Sequence, residues 1–101
     1  MTARPSSLLI LGGARSGKSR HAVAQAQARG PRVAVLATAE ALDPDMAARI
    51  RRHREKRPAS WLTVEEPIEL VAALRRLADR ADTVLVDCLT LWVANQLQRG
   101  L

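Results

Sequence analysis

The chain has 101 residues, with 16 Lys or Arg against 10 Asp or Glu and a formal net charge of +6. Apolar residues make up 48 % and charged residues 26 %, which is globular composition and excludes a disordered chain. The apolar runs are far shorter than the ~20 residues of a membrane helix, and the single Cys excludes an intrachain disulfide. We expect one cytoplasmic domain with an anionic partner: nucleic acid, a phosphorylated small molecule or a membrane surface.

The first half of the chain is predicted to alternate between strands and helices. Residues 8–11 are an unbroken apolar run stopped by glycines, typical of a buried parallel strand, and the Ala-rich residues 19–28 are predicted to be helical. Residues 33–38 form a second buried, β-branched run. Asp43 and Pro44 are typical of an N-cap and a first helical residue, so a helix is predicted from there to about Arg54.

The second half continues the alternation. Glu66 and Pro67 are predicted to open a helix by the same logic, with apolar residues at helical spacing to about Arg80. Residues 83–87 are a third buried strand, and residues 89–98 a last helix that Gly100 stops. The order β-α-β-α-α-β-α predicts an α/β fold with a mainly parallel sheet and right-handed connections.

A glycine-rich loop follows the first predicted strand. It matches the pattern G-x-x-x-x-G-K-[ST] in full, between a strand and a helix, with the residues Gly12, Gly13, Ala14, Arg15, Ser16, Gly17, Lys18 and Ser19. Glycines let backbone N–H groups turn toward phosphates, and the following helix adds its positive end. Lys18 is predicted to reach the β and γ phosphates, and Ser19 to ligate Mg²⁺. The alternative is a glycine-rich turn that caps a helix, which needs neither side chain.

Asp87 closes the third predicted strand. A carboxylate at the carboxyl end of a strand beside a phosphate loop commonly holds Mg²⁺ or its waters, because ligands of open α/β sheets bind at that end. We therefore predict a metal role for Asp87. An N-cap for the following helix is the alternative, since Asp is a good cap.

The segment from Arg49 to Arg57 contains six basic residues in nine positions. A solvated helix face, a nucleic-acid patch and a polyphosphate site are the three interpretations, and the lack of interleaved aromatic residues disfavours nucleic acid. Met46, Ile50 and His53 fall on one helical face, which places His53 on the apolar side. An imidazole there can act as a nucleophile or an acid–base group, but a packed or capping histidine fits the spacing as well.

Several segments together resemble a known family. They are the phosphate loop with Arg20-His21-Ala22 after it, Ala37-Thr38-Ala39, Asp43 with residues 46–50, His53-Arg54-x-x-Arg57-Pro58-x-x-Trp61-x-Thr63-x-Glu65, and residues 86–92. In order and spacing, nearly all of residues 8–97 resemble the bifunctional adenosylcobinamide kinase / adenosylcobinamide-phosphate guanylyltransferases. The phosphate loop is generic, whereas the histidine segment is specific.

The resemblance implies two reactions in cobalamin assembly. The family phosphorylates the aminopropanol hydroxyl of adenosylcobinamide with ATP or GTP, and then attaches GMP from GTP to that phosphate through a GMP–histidine intermediate. His53 aligns with the nucleophilic histidine, while Arg52 stands where the family often has another histidine. Beyond the phosphate loop, the implied nucleotide-binding residues are Ala37, Thr38, Ala39, Arg54, Glu55, Lys56, Arg57, Glu65 and Asp87.

The resemblance also sets expectations for the whole chain. The family fold is a P-loop α/β sheet, members form oligomers with a trimer described, and they are longer than this chain. Residues 1–101 are therefore expected to be the N-terminal part of a single nucleotide-binding domain, with no membrane span and no nucleic-acid partner. Two alternatives stay open: a truncated module that binds nucleotide without catalysis, and a small-molecule kinase of another P-loop family that needs only the loop and Asp87.

Overall fold

The computed structural model describes residues 17–100. The predicted strand at residues 8–11 and the loop residues 12–16 lie outside this range. Within it the elements are α1 (Lys18–Ala28), β1 (Val33–Ala37), α2 (Pro44–Glu55), β2 (Leu62–Glu65), α3 (Leu70–Leu77), β3 (Thr83–Asp87) and α4 (Leu89–Gln98). No helix in the described part is long and apolar enough to cross a membrane.

The strands form one parallel sheet in the order β2-β1-β3. The central strand β1 is completely apolar and buried along its length, as expected for a strand that pairs on both sides and is covered on both faces. On one face Ala34 and Leu36 pack against Leu70, Ala73 and Leu77, which recur at helical spacing along α3. The predicted α/β fold with a parallel sheet flanked by helices is confirmed.

The strand β2 was not predicted from the sequence. It is four residues long, its two end residues are exposed, and it pairs with β1 through Val35 and Thr63. A short edge strand carries too little hydrophobic pattern to be recognised alone, because its pairing partner decides its conformation. The correct order within residues 17–100 is therefore α-β-α-β-α-β-α.

The predicted start of the third helix at Glu66 and Pro67 is wrong. The Glu66 carboxylate instead accepts hydrogen bonds from the N–H groups of Ile68 and Glu69 at 3.2 and 3.1 Å, which holds this stretch in a turn. Helix α3 begins only at Leu70. The predicted end at Arg80 is also wrong, since α3 ends at Leu77 and a tighter turn follows.

The predicted N-terminus of α2 is confirmed. Asp43 is the N-cap, its carboxylate accepts from the N–H of Met46 at 2.8 Å, and Pro44 is the first helical residue. No residue of α2 is fully buried, so this helix is held to the sheet less by burial than α3 is. The remaining predicted elements within the described range, α1, β1, β3 and α4, agree with the structure to within one residue.

Candidate functional site

The three strands end together at one edge of the sheet. Ala37, the last residue of β1, stands in register with Glu65 of β2 and with Asp87 of β3. Backbone hydrogen bonds continue past the strand ends, because the N–H of Thr38 donates to the Asp87 carbonyl at 3.0 Å and the N–H of Glu66 donates to the Ala37 carbonyl at 2.9 Å. Ligands of open parallel sheets bind at this carboxyl edge.

Thr38 fastens the chain after β1 to the chain after β3. Its side chain is completely buried. The hydroxyl accepts a hydrogen bond from the N–H of Cys88 at 2.9 Å and donates one to the Cys88 carbonyl at 2.7 Å. The hydroxyl is therefore bonded to backbone inside the protein, and Thr38 joins the two segments that follow β1 and β3.

Helix α4 contributes a second set of hydrogen bonds to this edge, which the sequence did not predict. The side-chain amide of Asn95 donates to the carbonyl of Thr38 at 2.9 Å and to the carbonyl of Pro67 at 3.1 Å. It thus joins the segments that follow β1 and β2. Two backbone carbonyls that have left the sheet ladder gain donors in this way, as partly buried polar groups require.

Neighbouring side chains of α4 extend the contact. Trp92 Nε1 and Gln96 Nε2 both donate to the carbonyl of Ile68, at 2.8 and 3.0 Å, and Arg99 pairs with Glu40 at 3.1 Å. The only sequence signal for this role is polar atoms at i, i+3 and i+4 on a largely apolar helix, where an interior helix face would otherwise be purely apolar.

Arg57 and Asp87 form an ion pair beside the strand ends. The guanidinium Nη2 lies 3.2 Å from Asp87 Oδ2. Only 9 % of the Arg57 side chain is exposed, against 34 % for Asp87. Arg57 follows the C-terminus of α2, so this pair joins that helix end to the end of β3.

His53 lies in the last turn of α2, four residues before Arg57. It is half-buried together with Met46 and Ile50, whereas Arg49 is exposed. The predicted common face of these three residues is confirmed, although the face is half-buried rather than interior. Four residues along the chain separate His53 from Arg57, the residue that contacts Asp87.

The other predicted site residues differ in their placement. Gly17, with a left-handed φ of 84°, precedes the half-buried Lys18 at the start of α1, and for Ser19 the structure describes the helical backbone only. Ala37 is buried and Ala39 half-buried. The remaining predicted residues are exposed at the ends of α2 and β2, namely Arg54, Glu55, Lys56 and Glu65.

Of the six basic residues from Arg49 to Arg57, the Arg57 side chain is largely buried and the other five side chains are exposed. Among residues 17–100, Arg57 alone of the six cations in the basic segment makes an ion pair, and the exposed, unpaired ones are Arg49, Arg51, Arg52, Arg54 and Lys56. Exposed cations without internal partners are available to an anionic ligand. A cleft of about 360 Å³ between β2 and α3 contains none of the predicted site residues.

The carboxyl group of Glu66 has a lowered pKa. Its pKa is lowered from 4.5, chiefly because the N–H groups of Glu69 and Ile68 donate to the carboxylate, with a smaller contribution from Arg76 at 3.7 Å. Its carboxylate is therefore a structural acceptor that holds the turn before α3.

No cluster of three or more His, Cys, Asp or Glu side chains that could hold a metal is present in residues 17–100. Asp87 Oδ2 is bonded to Arg57, and about one third of the Asp87 side chain is exposed. Within residues 17–100, Asp87 Oδ1 has no hydrogen-bond or ion-pair partner. A single carboxylate oxygen fits Mg²⁺, which usually keeps several waters and takes one or two protein oxygens beside phosphates. The residues present therefore fit a water-rich magnesium site.

Comparison with known proteins gives consistent matches. A family model described as cobinamide kinase / cobinamide phosphate guanyltransferase (CobU) matches residues 8–100. The chain is 55 % identical over 89 residues to the bifunctional adenosylcobalamin biosynthesis protein CobP of Pseudomonas aeruginosa, covering 88 % of this chain and 51 % of that protein. It is 43 % identical over 90 residues to the CobU proteins of Salmonella typhimurium and Escherichia coli, covering 89 % of this chain and 49 % of each. The chain thus spans about half the length of the curated relatives it matches.

Proposed function

The chain belongs to the cobinamide kinase / cobinamide phosphate guanyltransferase family, and on that basis we propose that it carries the nucleotide-handling residues of both reactions. In the first, the terminal phosphoryl group of ATP or GTP passes to the aminopropanol hydroxyl of adenosylcobinamide. In the second, GMP passes from GTP to the phosphate so formed, and the product is adenosylcobinamide-GDP. The names of the relatives, bifunctional adenosylcobalamin biosynthesis proteins, support this assignment.

One observation carries the proposal: the Arg57–Asp87 ion pair at 3.2 Å brings the end of the histidine helix to the carboxyl edge of the sheet. His53 lies four residues before Arg57, in the half-buried face of that helix. This supports the proposal that the nucleophile and the phosphate-binding edge belong to one site. This arrangement favours nucleotidyl transfer over a kinase that uses only the phosphate loop and Asp87.

The proposed transfer proceeds in two displacements. A ring nitrogen of His53 attacks the α-phosphorus of GTP, its bond to the β-phosphate oxygen breaks, and pyrophosphate leaves. An oxygen of adenosylcobinamide phosphate then attacks the same phosphorus, and the bond to His53 breaks. A histidine nucleophile divides one difficult transfer into two easier ones.

The chain's own residues would assist by charge and position. Arg54 and Lys56 follow His53, are exposed and make no ion pair within residues 17–100, which suits them to the negative charge that builds on phosphate oxygens. The exposed carboxylate of Glu65 can accept from a ribose or guanine donor. Thr38 and Asn95 contribute by holding the edge in shape, since their polar groups are engaged with backbone.

We assign the phosphates to the glycine-rich loop and Lys18, and Mg²⁺ to Ser19 and Asp87. A bound magnesium ion would neutralise charge on the phosphate oxygens. Ser19 would offer a hydroxyl oxygen and Asp87 a carboxylate oxygen, the hard donors that this ion prefers. A cytoplasmic location, assembly into a homo-oligomer such as a trimer, and the absence of a nucleic-acid partner stay predictions.

The proposal is tested by incubating the full chain with Mg²⁺ and GTP labelled at the α-phosphorus. We expect an acid-labile label on the protein, absent from His53→Ala. His21→Ala is the matched control, because it removes the only other histidine, which is exposed on α1, and should keep the label. GTP labelled at the γ-phosphorus should leave no label on His53.

Three outcomes would contradict the proposal. Label that persists in His53→Ala would exclude this nucleophile. GTP binding that is lost in Lys18→Ala, with no label on the wild-type chain, would identify a module that binds nucleotide without catalysis. Transfer of phosphoryl to adenosylcobinamide that is unaffected by His53→Ala, together with an absence of label, would identify a simple kinase.

A further inference from the structure

Arg57 differs from the other cations of its segment in burial and in partner. Its side chain is 9 % exposed and bonded to Asp87, while the neighbouring Arg54 and Lys56 are exposed with no ion pair within residues 17–100. A guanidinium that is buried against a carboxylate has most of its charge neutralised locally. It is therefore poorly suited to the phosphate contact that the sequence predicted for it.

The partner of Arg57 belongs to a rigid part of the molecule. Asp87 ends β3, its carbonyl accepts from the N–H of Thr38, and the next residue, Cys88, is bonded twice to the Thr38 hydroxyl. The carboxylate consequently has a fixed position at the edge of the sheet. The ion pair therefore holds the Arg57 guanidinium at the same edge of the sheet.

Helix α2 has little else to fix it. None of its residues is fully buried, and its half-buried side chains include Met46, Ile50 and His53. Among residues 17–100, the Arg57–Asp87 pair is the one side-chain ion pair that joins the C-terminal end of this helix to the sheet. A segment with few buried contacts opens readily unless such a contact holds it.

We infer that Arg57 is a positioning residue: its ion pair with Asp87 fixes the C-terminal turn of α2 and thereby orients His53. The role of His53 as nucleophile rests on the proposed function, whereas the fixing of the turn does not. Arg57 acts through α2 and makes no contact with phosphate. Its removal should slow formation of the histidine intermediate without weakening the binding of GTP.

Two substitutions separate positioning from phosphate binding. Arg57→Met keeps most of the length and apolar contact of the side chain but removes its charge, and Arg57→Lys restores a cation. Arg32→Met is the matched control, because it breaks an ion pair with Asp82 at 3.5 Å whose side chains are 54 % and 57 % exposed. Exposed pairs of this kind contribute little.

The first readout needs no nucleotide. Trypsin cleaves after the arginines of residues 49–54, in α2, and after Lys56, at its C-cap, only when the end of this helix opens. Pro58 protects the bond after Arg57 itself, so the substitution removes no cleavage site. We expect the cleavage rate in this segment to rise about five- to thirty-fold in Arg57→Met, because the loss of one such ion pair changes the ratio of open to closed segment by about that factor. Asp87→Asn should have a similar effect, and the double variant should exceed the larger single effect by less than twofold.

The second readout uses labelled GTP. In Arg57→Met we expect the rate of histidine labelling to fall at least tenfold while the Kd for GTP stays within twofold of wild type, with partial recovery in Arg57→Lys. The control Arg32→Met should match wild type in both assays.

The inference is overturned if trypsin cleaves residues 49–56 of Arg57→Met within twofold of the wild-type rate. It is also overturned if the effects of Arg57→Met and Asp87→Asn are independent and multiply in the double variant. A loss of GTP binding as large as the loss of labelling would show that Arg57 contacts the phosphates. If the wild-type chain takes no label, the proposed function fails, and the trypsin rates still decide whether the ion pair holds the turn.

Discussion

Replacing Thr38 with Val should destabilise the protein far more than its small change in shape suggests. The two side chains are nearly equal in volume, but Val has no hydroxyl. In the structure that hydroxyl both accepts from the N–H of Cys88 and donates to the Cys88 carbonyl, at 2.9 and 2.7 Å, in a completely buried position. The substitution leaves the Cys88 N–H without its partner, while the Cys88 carbonyl loses one of two donors and keeps the N–H of Trp92 at 3.2 Å.

The magnitude follows from these two hydrogen bonds. Each contributes about 0.5–1.5 kcal/mol net, and a buried donor left unsatisfied costs about 1–3 kcal/mol. Burial of the methyl group that replaces the hydroxyl is favourable and offsets part of this loss of stability. We therefore expect the free energy of unfolding to fall by about 2–4 kcal/mol, which for a domain of this size lowers Tm by about 10 °C or more.

Urea unfolding of the full chain, followed by circular dichroism, measures this change. Thr63→Val is the matched control: Thr63 is half-buried in β2 of the same sheet, and its hydroxyl makes no hydrogen bond within residues 17–100. We expect the control to change the free energy of unfolding by less than about 0.5 kcal/mol. A Thr38→Val protein as stable as wild type would refute the assigned role of the Thr38 hydroxyl.

Two further predictions concern the ends of helices. Asp43→Ala removes the side chain that caps α2 and should lower the free energy of unfolding by about 1 kcal/mol in the same assay, whereas Asp43→Asn should cost little. The carboxylate of Glu66 has a lowered pKa because the N–H groups of Glu69 and Ile68 stabilise its charged form, so its contribution is complete above about pH 4.5 and is lost as the pH falls below that value through the folded-state pKa. Stability measured from pH 6 to pH 3 should fall less steeply in Glu66→Gln, and equal slopes would contradict this role.

Local sequence signals predicted two kinds of element correctly. In one kind, residues of the element itself fix where it begins, and in the other a single uninterrupted apolar segment forms the whole element. The Asp43–Pro44 pair marks the start of α2 because both residues act on their own helix. The apolar run of β1 marks a central strand because such strands are buried on both faces. These parts of the fold require no knowledge of a distant partner.

Two of the missed features depend on distant partners, and one is local. Strand β2 exists through its pairing with β1. The delayed start of α3 is the local one, because the Glu66 carboxylate accepts from N–H groups two and three residues further on and holds a turn rather than a helix end. The ion pair of Arg57 with Asp87 joins residues 30 positions apart. The sequence predicts both residues to be site residues, but it could not show that each is the other's partner.

The residue that carries a covalent nucleotide decides whether His53 is the nucleophile. The full chain is incubated with Mg²⁺ and GTP, digested under conditions that preserve phosphoramidates, and its peptides are measured by mass spectrometry. We expect a GMP adduct on the peptide that contains His53 and an unmodified peptide for His21. An adduct on any other residue, or a chain that binds GTP and carries no adduct, would contradict the role of His53 as nucleophile.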